Sequence, residues 1–66
     1  MGWAAGSIVM DRVIAALQIT VPDAGTRKAI YAALIVEFRD MDWDTENECT
    51  DQDTAFDDAL RECGEI

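Results

Sequence analysis

The sequence predicts an all-α fold, a small bundle of three to four short helices in a single domain over residues 1–66. Half of the residues are apolar, and most of them lie in two segments, 8–17 and 29–38, where they recur at helical spacing. Pro22 separates these two segments, and residues typical of helix N-caps recur in residues 40–66, where they indicate further helix starts. No run of five residues alternates in the way that a half-buried strand would, so no sheet is expected.

The first helix is predicted to run from about Ala4 or Ser7 to Gln18, with Ser7 as its N-cap. Its apolar stripe contains Val9, Val13, Ala16 and Leu17, widened by Met10 and Ile14. The preceding Trp3 is expected to pack in the core.

The second helix is predicted from about Asp23 to Asp40, capped by Thr20 or Asp23, because Pro22 ends the first helix and suits the start of the next. Its expected apolar face consists of Ile30, Leu34, Ile35 and Phe38, with Tyr31 at the margin and Ala33 allowing close approach. Arg27 and Lys28 are expected on the opposite face.

The remaining segment predicts a turn and two short helices. Residues 40–44 form the turn, and Thr45-x-x-Glu48 has the form of a capping box that opens a helix through Cys49 or Thr50. A last helix is predicted from Asp53 or Thr54 to Cys63, ended by Gly64. Its apolar face consists of Phe56, Ala59, Leu60 and Cys63.

Negative charge is concentrated in the second half of the chain. Residues 40–66 hold eleven carboxylates and one base, whereas residues 1–39 hold three carboxylates and four bases. The first half is therefore basic to neutral, and the second half accounts for the net charge of −9. A field of this kind favours cationic partners and disfavours nucleic acid and anionic membranes.

Composition indicates a compartment and excludes several kinds of chemistry. No signal peptide and no run of about 20 apolar residues is visible, so a soluble, cytoplasmic protein is expected. Two cysteines, Cys49 and Cys63, favour free thiols, with a bridge between them as the alternative. The chain has no histidine, one lysine and one serine, so neither an enzyme nor a cofactor or zinc site is expected.

Calcium binding is a lesser alternative. Asp40, Asp42 and Asp44 match positions 1, 3 and 5 of an EF-hand loop, and further carboxylates follow at Glu46, Glu48 and Asp51. However, Thr45 stands where the sharp turn normally needs glycine, and Asp51 is shorter than the usual bidentate glutamate. The same carboxylates are therefore first interpreted as helix caps and an acidic surface.

An acidic helical surface can mimic nucleic acid. Carboxylates held on a turn and short helices present negative charge like phosphates along a strand, and compete for the same cationic groove. Trp43, framed by Asp42 and Asp44, is either a core anchor or a binding anchor. The predicted partner-binding residues are Asp40, Asp42, Trp43, Asp44, Glu46, Glu48, Asp51, Asp53, Asp57 and Asp58. The alternative is an acidic face that only keeps the protein soluble.

Two motifs resemble a known group of proteins. Gly2-Trp3-Ala4-Ala5-Gly6-Ser7 and the later Asp42-Trp43-Asp44-Thr45-x-x-Glu48-Cys49 are similar to motifs of very small acidic proteins encoded by bacteriophages and mobile elements. The resemblance covers most of the chain, but no activity is established for the group at large. Several phage proteins of this size and charge resemble anti-CRISPR or anti-restriction proteins that act as nucleic-acid mimics.

The predicted function is therefore inhibition of a host defence complex in the host cytoplasm. The expected partner is a basic nucleic-acid-binding protein, such as a CRISPR effector subunit or a nuclease. A different class remains open, namely a phage structural or assembly protein that dimerises through the Ile30–Leu34–Phe38 stripe.

Overall fold

The computed structural model describes residues 3–64, which form three α-helices and one 3₁₀ helix and contain no strand. The elements are α1 (Ala5–Thr20), α2 (Ala24–Asp40), the 3₁₀ helix (Glu46–Cys49) and α3 (Thr54–Glu62). The all-α prediction is confirmed. Within this part of the chain, no helix has both the length and the apolar character needed to cross a membrane.

Helix α1 extends beyond its predicted bounds at the C-terminal end. Its N-cap is Ala4, so the prediction that Ser7 caps the helix was wrong; Ser7 is buried inside the first turns. The helix continues to Thr20, whose hydroxyl donates to the carbonyl of Ala16 at 2.8 Å. It ends where Val21 becomes extended (φ −122°, ψ 95°), the conformation expected of a residue before proline.

Helix α2 has the cap that the sequence predicts. The Asp23 carboxylate accepts hydrogen bonds from the backbone N–H of Thr26 at 2.8 Å and from its hydroxyl at 2.7 Å. These two bonds lower the pKa of Asp23 because they favour its charged form. The cap therefore fixes the start of α2 immediately after Pro22.

The buried face of α2 is rotated from the predicted one. Tyr31 is fully buried rather than marginal, Ile30 and Leu34 are only half-buried, and Ala33 is exposed. The reason is the position of α3, whose Phe56 ring meets Tyr31 edge-to-face at 5.5 Å between centroids.

The predicted dimerisation stripe on α2 is not a free surface. Phe38 belongs to the core, where its ring lies between those of Trp3 and Trp43 at centroid distances of 5.0 and 5.3 Å. Leu34 packs against the same core, and Ile30 is half-buried. Phe38 is therefore not available to a second copy, whereas Ile30 and Leu34 keep part of their surface exposed.

Helix α3 has the N-cap residue, the buried face and the C-terminal end that the sequence predicts. Phe56, Ala59 and Leu60 are buried, and Cys63 is half-buried beside them. Gly64 follows with a φ of +85°, a conformation that glycine adopts without steric cost. The strong separation of its two faces allows α3 to be predicted from sequence alone.

Asp53 joins α3 to the rest of the fold. Its carboxylate accepts from the backbone N–H of Ala55 at 3.0 Å, from the Tyr31 hydroxyl at 2.9 Å and from Arg27 Nε at 2.9 Å. Arg27 also donates to the carbonyl of Val21 at 2.7 Å. The expectation that Arg27 faces away from the core was wrong, because its guanidinium links the α1–α2 connection to the start of α3.

The Asp53 cluster has a defined effect on protonation. Burial opposes ionisation of Asp53, but the hydrogen bonds from Arg27, Ala55 and Tyr31 together hold its pKa below the ordinary value. Burial and the Asp53 carboxylate raise the pKa of Tyr31 to about 12. The cluster is thus a charged pair with a neutral phenol at neutral pH.

Substitution of Asp53 tests the cluster. Asp53→Ala removes an N-cap and leaves Arg27 without its buried counter-ion, so we expect it to lower the free energy of unfolding by about 3–5 kcal/mol. The matched control is Asp58→Ala, which breaks the exposed pair with Arg61 and should cost at most about 1 kcal/mol. Urea denaturation at pH 7 compares the variants, and equal losses would contradict this role of Asp53.

The same carboxylate predicts an acid dependence. Because its pKa is lower in the folded state, its contribution is complete above the ordinary aspartate pKa of 3.8 and is lost as the pH falls through the folded-state value. Asp53→Asn keeps the cap but removes the charge. The free energy of unfolding of this variant should therefore fall less than that of the wild type between about pH 5 and about pH 2. Parallel pH profiles would exclude Asp53 as a source of the dependence.

Candidate binding surface

The carboxylates of the second half fall into two groups, and the first group is paired with bases. Among residues 3–64, four ion pairs connect Arg27 with Asp53, Lys28 with Glu62, Arg39 with Glu46 and Arg61 with Asp58. Three of these bases come from the first half of the chain. The segregation of charge along the sequence is therefore partly cancelled by folding.

The second group points to solvent along the connection between α2 and α3. We call its five members the outward acids; they are Asp40, Asp42, Asp44, Glu48 and Asp51. Each is exposed, and within residues 3–64 none of their side chains makes a hydrogen bond or an ion pair. Since no described residue pairs with these carboxylates, their oxygens are open to another molecule.

Three of the predicted binding residues lie inside the protein instead. Trp43 is 2 % exposed, Glu46 8 % and Asp53 6 %. Glu46 lies beside Arg39, with Oε2 3.4 Å from Nε. Trp43 is thus a core anchor, and none of the three is presented to a partner.

The two remaining predicted residues on α3 are already engaged. The half-buried Asp57 carboxylate accepts from the backbone N–H of Asp51 at 3.2 Å, which ties the end of the connection to α3. Asp58 is exposed but lies 2.8 Å from Arg61. Their negative charge adds to the field, yet both carboxylates have partners within the chain.

A buried cluster of hydrogen bonds around Ser7, which we call the node, explains why two of the outward acids, Asp42 and Asp44, point outward. Trp43 Nε1 donates to Ser7 Oγ at 3.0 Å, and Ser7 Oγ donates to the carbonyl of Thr45 at 3.0 Å. The hydroxyls of Ser7 and Thr45 are 2.5 Å apart. With Trp43 and Thr45 turned toward α1, the intervening Asp44 and the preceding Asp42 face solvent.

Gly6 allows the node to close. A Cβ at Gly6 would lie 2.7 Å from Trp3 Cε3 and 2.7 Å from Trp43 Cδ1, so a larger residue would separate the two indoles from α1. The backbone N–H of Trp3 also donates to the carbonyl of Asp42 at 2.6 Å. The two motifs identified in the sequence are therefore one structural unit, a contact that their separation along the chain does not reveal.

Cys49, like Trp43 and Thr45, faces α1. Its thiol lies 3.5 Å from the carbonyl of Ser7, and it is fully buried. Burial, and next the nearby Asp11 carboxylate, raise the pKa of Cys49 to about 12, so it is a neutral, unreactive thiol. Cys49 and Cys63 are both free, as the first interpretation of the cysteines predicts.

Two of the outward acids occupy left-handed backbone conformations. The φ angles are +66° at Asp42 and +68° at Asp51, and both residues lie in turns. Aspartate and asparagine adopt this region more readily than other residues with a Cβ. Asparagine at either position therefore removes the charge without a change in backbone preference.

The EF-hand arrangement does not form. In the part of the chain that the structure describes, no three cysteine or acidic side chains converge as a metal ion would require. Glu46 turns to Arg39, and residues 46–49 form a 3₁₀ helix rather than the loop. The capping box was also wrong, because the Thr45 hydroxyl bonds to Ser7 instead of capping.

Removal of the Ser7 hydroxyl tests the node. Ser7→Ala leaves the Trp43 indole N–H and the Thr45 carbonyl without their buried partner, so we expect a loss of about 1–3 kcal/mol in the free energy of unfolding. Thr50→Ala removes a hydroxyl that bonds to Asn47 at an exposed position and is the matched control, with a change below about 0.5 kcal/mol. Urea denaturation followed by tryptophan fluorescence measures both. Equal stability of Ser7→Ala and wild type would contradict the node.

Comparison of the chain with protein-family models, with curated proteins and with solved structures gives no match. The resemblance to small acidic phage proteins therefore stays a prediction. The two motifs that carry it meet at the Ser7–Trp43 node, where they fix the direction of the outward acids.

Proposed function

We propose that this chain is a non-enzymatic inhibitor that places its outward acids in the cationic nucleic-acid-binding groove of another protein. The observation that carries the proposal is the exposure of five carboxylates within residues 40–51, all without a partner in the described chain. Carboxylates that serve the fold, such as those of Asp53 and Glu46, are buried and paired. The outward acids contribute charge that folding does not need.

The net charge supports a cationic partner. The chain carries −9, and within residues 3–64 four of the five bases form ion pairs with acids. The unpaired carboxylates therefore dominate the field around the connection. A groove built for phosphates offers arginine and lysine, and arginine forms two parallel hydrogen bonds with a carboxylate as it does with a phosphate.

The rigid support of the outward acids favours tight binding. Trp43, Thr45 and Cys49 fix the connection to α1 from within, so the carboxylates are held in place before a partner arrives. Binding then requires less loss of conformational entropy than the ordering of a flexible acidic tail would.

The resemblance to small acidic phage proteins narrows the kind of partner. A defence complex that acts on nucleic acid binds the phosphates with basic residues, and a mimic of nucleic acid blocks that surface without chemistry. We therefore propose a CRISPR effector subunit or a nuclease as the target, encountered in the host cytoplasm. An interaction that does not depend on charge would instead favour the assembly class of function.

Two triple variants with equal charge test the proposal. The first neutralises the outward acids by Asp40→Asn, Asp44→Asn and Glu48→Gln. The control neutralises carboxylates elsewhere by Asp11→Asn, Asp58→Asn and Glu62→Gln. Since an exposed charge pair contributes about 0.2–1 kcal/mol, we expect the first triple to weaken binding by roughly 3- to 150-fold and the control to change it much less.

Binding is measured with proteins retained from a bacterial lysate on the immobilised wild-type chain. The expected partner elutes in a salt gradient, is displaced by DNA, and is a nucleic-acid-binding protein when identified by mass spectrometry. Its affinity for each variant is then measured after purification. A partner that binds both triples equally well, or that DNA does not displace, would overturn the mimic.

A further inference from the structure

Helix α1 is attached to the fold in a different way from α2 and α3. Within residues 3–64, every hydrogen bond between α1 and another element goes to the connection between α2 and α3, residues 41–53. Besides Ser7, the α1 residues concerned are Asp11 and Gln18, which bond to the side chain and to the carbonyl of Gln52, each at 2.8 Å. Hydrogen bonds therefore hold α1 to the connection and not directly to the two other α-helices.

Helices α2 and α3 are joined by a separate set of contacts. On α2, Arg27 and Tyr31 bond to Asp53, the N-cap of α3. Lys28 of α2 forms an ion pair with Glu62 in the last turn of α3. These contacts lie at both ends of α3 and none of them involves α1, so the two helices can remain packed together when α1 moves.

Helix α1 also has the weakest local stabilisation of the three α-helices. Its N-cap, Ala4, has no side chain that accepts a hydrogen bond, whereas Asp23 and Asp53 cap α2 and α3. Its first turn has no acidic residue and its last turn no basic one, so no side-chain charge offsets its dipole. Its large, fully buried side chains are those of Met10 and Ile14. An uncapped end and few buried apolar side chains are features of a segment that opens at low cost in free energy.

The link between α1 and α2 provides a defined pivot. Val21 is extended and Pro22 has no N–H, so the helical hydrogen bonds stop there. Arg27 of α2 donates to the carbonyl of Val21 at 2.7 Å and to that of Pro22 at 3.1 Å. The link is thus fastened to α2, and α1 can separate from the connection while the link stays in place.

We propose that α1 is a strap that opens by itself while α2 and α3 stay packed, and whose closure holds the connection in shape. Opening breaks the hydrogen bonds from Ser7 that turn Trp43 and Thr45 inward, so Asp42 and Asp44 lose their fixed direction. An isolated helix of this length is marginal in water, so the open α1 also loses helical structure. The consequence for binding rests on the proposed function, because only the closed strap presents the outward acids as a fixed array; the opening itself does not.

The Cys49 thiol reports the opening, because it lies against α1. Its Sγ is 3.5 Å from the carbonyl of Ser7, and the residue is fully buried. In a Cys63→Ser background Cys49 is the only thiol of the chain, so alkylation with iodoacetamide, followed by mass spectrometry, measures how often it becomes exposed. The rate is measured over a series of urea concentrations below the unfolding transition.

The urea dependence of this rate separates local opening from global unfolding. Local opening exposes less surface, so the logarithm of the rate should rise with urea less steeply than the m-value of global unfolding requires. The amide of Glu48, which donates to the carbonyl of Thr45, should show the same shallow slope in hydrogen exchange, while the amides of α3 show the steep one. A steep slope at Cys49 would overturn the separate opening of α1, and a steep slope at Glu48 would overturn its control of the connection.

Two exposed alanines provide matched variants, Ala15→Gly in α1 and Ala33→Gly in α2. Glycine lowers the stability of either helix by a similar amount, so Ala15→Gly should raise the alkylation of Cys49 without urea about 5-fold, while Ala33→Gly should leave it unchanged. Circular dichroism checks that both variants stay folded. An equal rise in both would show that only global unfolding exposes Cys49 and would overturn the proposal. The chain is studied alone, so this failure is distinct from a failure to find a cationic partner.

Discussion

The hydrogen bond from the Trp43 indole to Ser7 is the contact on which the arrangement of the acidic connection depends. It is buried and joins residues that are 36 positions apart in the sequence. It can form because Gly6 lets the indoles of Trp3 and Trp43 approach α1. Once Trp43 is fixed, Thr45 and Cys49 must also face α1. Asp44 and Glu48 are then left on the outside, whereas Glu46 turns to Arg39, so this core contact helps to determine which acids form the surface.

Folding also divides the carboxylates by role. Asp53 and Glu46 are drawn inward by Arg27 and Arg39, where they stabilise the packing of α2 against the second half of the chain. The outward acids have no such partner among the described residues. A strongly negative chain can thus use some of its acids for stability and keep others for binding, and the two sets are distinguished only by the fold.

Local signals in the sequence predict most of the helices. Asp23 and Asp53 cap α2 and α3 because a capping carboxylate needs only its own next turn, and Gly64 ends α3 for an equally local reason. The face of α3 is also evident from its spacing.

Tertiary contacts account for what the sequence does not predict. Ser7 and Thr45 are residue types that commonly cap helices, but here their hydroxyls form a hydrogen bond with each other. The pattern of α2 predicts Tyr31 at the margin of its apolar face and Arg27 on the opposite face, because α2 alone does not reveal the position of α3. Asp42 and Asp44 are exposed because Trp43, which lies between them in the sequence, faces the core.

The free energy of unfolding of a variant that lacks the outward charges tests the central claim most directly. The variant combines Asp40→Asn, Asp42→Asn, Asp44→Asn, Glu48→Gln and Asp51→Asn. If these carboxylates have no role in folding, urea denaturation should show stability equal to the wild type or higher by a few tenths of a kcal/mol, since neighbouring like charges repel. A loss of more than about 1 kcal/mol would show that the fold depends on them and would contradict the assignment of these acids to binding.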